Sequence, residues 1–130
     1  MNISERVERA AELKRHQGYN CCQAVTAVLT DQTELTEEQM NHIAAGFCVG
    51  MGNMEATCGA LIGAGMIAGL ATNGSATVRF TKQISETFKD MCGAITCKTL
   101  KGIPGGKVLC PCDVCVKNAV LAYGKVMGLE

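Results

Sequence analysis

The run ATCGALIGAGMIAGLA, residues 56–71, decides the fold. It carries no charge over its 16 residues, yet falls short of the ~20 that a helix needs to cross a hydrocarbon core. Glycines at 59, 63, 65 and 69 each cost roughly 1 kcal/mol of helix propensity relative to alanine. We read the run as a buried helix, the Gly/Ala-rich centre of a helical domain, and not as a membrane span. Gly59/Gly63, Ala60/Ala64, Gly65/Gly69 and Ala64/Ala68 are each spaced by four, leaving a flat strip that a neighbouring backbone or a ligand can approach closely. Close helix packing is the first reading. In the second, the strip admits a ligand beside Cys58, with Gly59 and Gly63 as cofactor contacts. The strip also suggests a homodimer.

Working outward, the flanks are helical too. Asn2 followed by Glu5 forms a capping box, and Ile3, Val7, Ala10 and Leu13 continue as an apolar stripe. Cys21, Val25, Val28 and Leu29 mark a second helix, with Cys21 on its stripe and Cys22 off it. Thr36 with Gln39 caps a third, whose apolar face is Met40, Ile43, Ala44 and Phe47. Asn73-Gly74 ends the glycine-rich helix. A fifth spans about 76–91 with Phe80, Ile84, Phe88 and Met91 on one face, and residues 97–101 suggest a further turn. Pro104-Gly105-Gly106 reads as a loop, followed by a helix bearing Val116, Ala119, Val120, Tyr123 and Met127. No window alternates convincingly as a strand. The expectation is one all-α domain over residues 1–130, a compact bundle of five to six helices.

Composition narrows the function. Twelve Lys+Arg balance twelve Asp+Glu, whereas a nucleic-acid binder needs surplus positive charge to displace counterions. Two tyrosines, three phenylalanines and no tryptophan offer few platforms for base stacking. A hydrophobic content of 48% excludes a disordered chain. No nucleic-acid or membrane partner is therefore expected. The opening MNISERVERAAELKRHQ is charged and amphipathic without an apolar signal core, so the expected location is cytoplasmic, where thiols stay reduced. Gly50-Met51-Gly52 lacks the strand and the Lys-Ser/Thr of a phosphate loop. His16 and His42 suit polar helix faces.

Nine cysteines dominate what remains. Several fall near helix starts, where unsatisfied N–H groups and the positive dipole end favour a thiolate. A thiolate serves both as the nucleophile of disulfide exchange and as a soft-metal ligand. Cys112–Cys115 is C-x-x-C, but no second such pair completes a zinc signature, and the ferredoxin spacing is absent. Any metal site has to be assembled from distant segments.

Phe47–Gly52 (FCVGMG) followed by CGALIGAGMIAGL from Cys58 resembles the C-G-A-x-x-G motif of the small cysteine-rich bacterial and archaeal C_GCAxxG_C_C proteins. Asn20-Cys21 with Gln23-Ala24-Val25 is similar to that family's N-C-x-Q-A-V. FKDMCGAITCKTLKG, residues 88–102, resembles its F…G…C-x-x-L-x-G segment, and Cys112 with Val116 and Ala119 its terminal C-x-x-x-V-x-x-A. The resemblance places the family's cysteines at Cys21, Cys58, Cys97 and one of Cys112 or Cys115. Cys22, Cys48, Cys92 and Cys110 are extras. The family's FGGGMG is FCVGMG here, with Cys48 and Val49 replacing two glycines.

The resemblance implies a redox-active protein. The leading expectation is a thiol-based oxidoreductase with Cys58 as nucleophile, partnered by Cys21, Cys97 and Cys112 or Cys115, and serving a redox partner protein. The alternative is a metal-binding module in which Cys21, Cys58, Cys97, Cys112 and Cys115 hold an iron–sulfur cluster or zinc. A third reading leaves the thiols as inert core filler.

Overall fold

The structure, a computed structural model, describes residues 1–103 and 105–130; Pro104 of the expected loop lies outside them. Three capping boxes start the first three helices. Asn2 accepts from the Glu5 amide and opens α1 (Ile3–His16). Asn20 and Gln23 do the same for α2 (Cys21–Leu29), and Thr36 and Gln39 for α3 (Glu37–Ala44). Each box satisfies two backbone groups that would otherwise lack partners at the helix end. A 3₁₀ turn, Thr30–Gln32, follows α2, and a π-type turn, Gly50–Met54, precedes α4 (Gly59–Ala71). The chain continues with α5 (Thr77–Cys92), the short α6 (Cys97–Lys101) and α7 (Cys112–Met127).

The fold is all-α. Seven α-helices form where five to six were expected, and the described residues contain no strand, only an isolated bridge between Thr57 and Thr96. No described helix is long and apolar enough to cross a membrane. Because α4 is apolar on all sides it has no face for water, and it contacts α2, α5 and α7. Its glycines set those approaches. A Cβ at Gly63 would meet the Cys22 carbonyl oxygen at 3.0 Å, and one at Gly65 the Thr81 methyl at 3.6 Å. The small-residue strip is thus used for packing within the chain.

Several local expectations are corrected. The run 56–71 is not helical throughout: Ala56 and Thr57 stay outside the helix, because the Cys97 amide donates to the Ala56 carbonyl (3.1 Å) and the Cys58 amide to that of Ile95 (2.7 Å). Cys58 becomes the N-cap of α4. Helix α3 ends at Ala44, leaving Phe47 outside it and Ile43 exposed. Met91 is exposed, while Ile84, Phe88 and Cys92 form the buried stripe of α5. In α2 it is Cys22, not Cys21, that is fully buried. Six of that helix's nine residues are buried, so its stripe has no polar face to define it.

One buried cation pins α1 to the end of α2. Arg6 donates to the carbonyls of Val28 (2.6 Å) and Met1 (3.1 Å) and makes a bidentate pair with Asp31 at 2.6 and 2.7 Å. The guanidinium hydrogen bonds hold the Asp31 carboxyl below its usual pKa. A depressed carboxyl adds stability above its unfolded pKa and loses it as pH falls through the folded value. Arg6→Met should therefore cost about 2 kcal/mol at pH 7 in urea unfolding. The gap to wild type should narrow below about pH 4; an unchanged urea midpoint would refute this role.

Candidate functional site

Four helices begin at one pocket. Cys21 and Cys112 are the first residues of α2 and α7, Cys97 opens α6, and Cys58 caps α4. All four line a cavity of about 70 Å³, joined there by Cys48, Cys110 and Cys115. Seven of the nine cysteines thus share one wall. Every cysteine is a free thiol. The two cations lining the pocket are Lys14 and Lys101.

Backbone geometry explains the convergence. The paired bonds between 56–58 and 95–97 set Cys58 and Cys97 side by side. Gly59 then lets the chain at Phe47 and Cys48 cross the start of α4, since a Cβ there would collide with the Phe47 carbonyl. Gly50, at φ 54°, faces the Cys97 Cβ across 2.9 Å from where its own Cβ would stand. The Asn20 side chain, besides capping α2, donates to the Ala45 carbonyl at 3.0 Å and ties α2 to the same crossing.

The thiols divide electrostatically. Cys112 is held down at about 6, first by the Cys21 thiol facing it and then by the ammonium groups of Lys101 and Lys14, against the cost of burial. Cys21 is pushed up, chiefly because it donates to Cys112. Cys58 lies below the usual thiol range: the neighbouring Cys115 thiol and the first-turn amides of Ala60 and Leu61 favour its thiolate, without a short capping bond. Cys92 is lowered to about 6 by Cys115, with Asn118 and Cys110 assisting. Cys115 is raised by these same neighbouring sulfurs and by burial. Burial pushes Cys110 and Cys22 up to about 12 and also raises Cys97. Depressed thiolates beside protonated thiols characterise reactive or ligating sulfur, whereas a fully buried thiol such as Cys22 is inert.

The expected site residues Cys21, Cys58, Cys97, Cys112 and Cys115 therefore meet. Gly59 lines the pocket, while Gly63 lies buried against α2. Three of the four extras also belong to the sulfur cluster: Cys48 and Cys110 line the pocket, and Cys92 packs behind it with Cys110 and Cys115. Only Cys22 stands apart, its thiol donating to the Met66 sulfur at 3.8 Å. The sequence signal for Cys92 was its place four residues beyond Phe88 and eight beyond Ile84, a buried helical stripe. His16 and His42 are both exposed.

A protein-family model described as "Putative redox-active protein (C_GCAxxG_C_C)" matches residues 19–126. No curated protein and no solved structure matches the chain.

The loop before Cys58 carries strain where this chain departs from the family's glycines. Val49 stands at φ 52°, ψ 43°, a left-handed conformation that costs a side-chain-bearing residue about 1–2 kcal/mol. Part of that relief is offset by glycine's greater unfolded-state entropy. Val49→Gly should thus raise unfolding stability by about 0.5–1 kcal/mol. A lower denaturation midpoint would show instead that the valine side chain is needed for packing.

Proposed function

The chain belongs to the C_GCAxxG_C_C family of redox-active proteins, and from that membership we propose that its sulfur pocket performs thiol–disulfide exchange through Cys112 and Cys21. The observation that carries this reading is a half-buried cysteine at a helix start that shares its pocket with Cys21 and with two lysines, which favour its thiolate. Cys58 shares the thiolate character but is 6% exposed, so Cys112 takes the role of attacking sulfur. Cys58 and Cys97 stand behind it.

The chemistry balances with an external disulfide as oxidant. The Cys112 thiolate attacks one sulfur of the substrate disulfide, that S–S bond breaks, and the departing thiolate takes a proton from solvent. Cys21 then gives up its proton and attacks the Cys112 sulfur of the mixed disulfide, expelling the second substrate thiol. Two electrons have passed to the substrate, and a Cys21–Cys112 disulfide remains. The reverse sequence reduces the protein and oxidises a dithiol. The same pair thus suits a redox partner protein in either direction. The donor pattern contributes in order: helix-start N–H groups and lysines stabilise the thiolate, and the neighbouring thiol resolves the intermediate.

A metal-binding reading is favoured by a different observation, the mutual approach of Cys92, Cys110 and Cys115. It concerns sulfurs other than the exchange pair.

The pH dependence of alkylation tests the proposal. A thiol at about 6 is half ionised at pH 6, where an ordinary cysteine near 8.5 is ~0.3% ionised. Its lower intrinsic nucleophilicity offsets roughly tenfold of that gain. Cys112 should thus react about tenfold faster than free cysteine at pH 6 and only about twofold faster at pH 7. Its rate should level off above that. Cys112→Ser should remove this phase and Cys21→Ser should shift its midpoint upward. A rate still climbing through pH 8 in the wild type would sink the assignment.

A further inference from the structure

Three sulfurs outside the exchange pair form a group of their own. Cys92 closes α5, Cys110 precedes α7, and Cys115 lies in its first turn. Their Sγ atoms all lie within 4.8 Å of one another, and all three side chains are buried. Cys58 is buried beside them, its sulfur facing Cys115. Three chain segments thus bring four buried sulfurs together.

Neither disulfide chemistry nor simple packing accounts for the arrangement. A disulfide joins two sulfurs, and Cys115 faces three others at once. Inert filler would seat each thiol among aliphatic side chains, as Cys22 is seated beside Met66. Here Cys92 instead receives a hydrogen bond from the Asn118 side-chain amide at 3.2 Å, and the Cys115 thiol donates to the Cys110 carbonyl at 3.5 Å. A hydrogen-bond donor aimed at sulfur is the support that a ligating thiolate needs.

The donor set fixes the ion's chemistry. It contains no histidine and no carboxylate, so it selects a soft ion. Four thiolates at a Zn–S distance of about 2.3 Å sit about 3.8 Å apart in a tetrahedron. The observed approach of Cys92, Cys110 and Cys115, within 4.8 Å of one another, is of that order, and Cys58 stands next to Cys115.

We propose that Cys92, Cys110 and Cys115, with Cys58 as the fourth ligand, form a buried zinc–thiolate site that fastens the start of α4, the end of α5 and the start of α7 together. As the ion enters, those of the four sulfurs that are still protonated, Cys110 and Cys115 first among them, release their protons to solvent. The site goes beyond the exchange reading and shares no residue with the Cys21–Cys112 pair.

The test is metal analysis of the full chain, expressed with added zinc and purified anaerobically. The wild type should hold about one zinc ion, as should Cys112→Ser and Cys22→Ala. Cys92→Ser combined with Cys110→Ser should lower its zinc affinity by about tenfold or more. Because that double variant could fail to fold, cobalt(II) titration of the wild type supplies a second reading. A tetrahedral, sulfur-to-cobalt charge-transfer spectrum reaching its end point at one equivalent supports the site. Zinc that survives the double substitution, zinc lost with Cys112→Ser, a cobalt titration without that spectrum, or iron with acid-labile sulfide in place of zinc would each overturn it. Failure here leaves the alkylation profile of Cys112 untouched, so the two readings stand or fall separately.

Discussion

The structure depends on four helix N-termini meeting at one pocket. Each helix start presents N–H groups without intrahelical partners, and these are satisfied by side chains, water or negative charge. A cysteine stands at each start, and at two of them, Cys58 and Cys112, the thiol is lowered toward the thiolate. The glycines of the family motif are what permit the meeting. Without a Cβ, Gly59 lets the 47–48 segment cross the head of α4, and Gly63 lets α2 lie against its flank. The C-G-A-x-x-G spacing is therefore a packing rule, with its cysteine as the one chemical element.

From that constraint the sulfurs sort by depth. Cys21 and Cys112 lie at the half-buried edge beside two lysines, where a thiolate is stabilised and still reachable. Cys58, Cys92, Cys110 and Cys115 are buried, the last three with their sulfurs within 4.8 Å of one another and Cys58 beside Cys115. Reactivity requires access and a depressed thiol pKa together. Cys112 has both, while Cys58 and Cys92 have thiolate character without access, which suits ligands better than nucleophiles.

Much of this was legible in the sequence, and the rest was hidden for identifiable reasons. Asn2/Glu5 and Thr36/Gln39 announce their helices through local hydrogen bonds, which sequence spacing encodes directly. The four family-position cysteines could be placed near helix starts for the same reason. The non-helical Ala56–Thr57 stretch could not, because it is held by partners some forty residues away at Ile95 and Cys97. The inner sulfur group was missed because Cys92 and Cys110 meet only through the packing of α5 on α7. No short-range spacing records that contact. In α2, burial on nearly every side removed the polar face that stripe reading needs, so Cys21 and Cys22 exchanged their expected places.

The most direct measurement is the identity of the first disulfide formed when the reduced, native chain is oxidised by a limiting amount of a small disulfide and mapped by mass spectrometry. The account requires an intramolecular Cys21–Cys112 bond as the first product, with Cys22 still a free thiol. A first product that joins Cys22 or any two of the inner four, or one that links two chains, would contradict it.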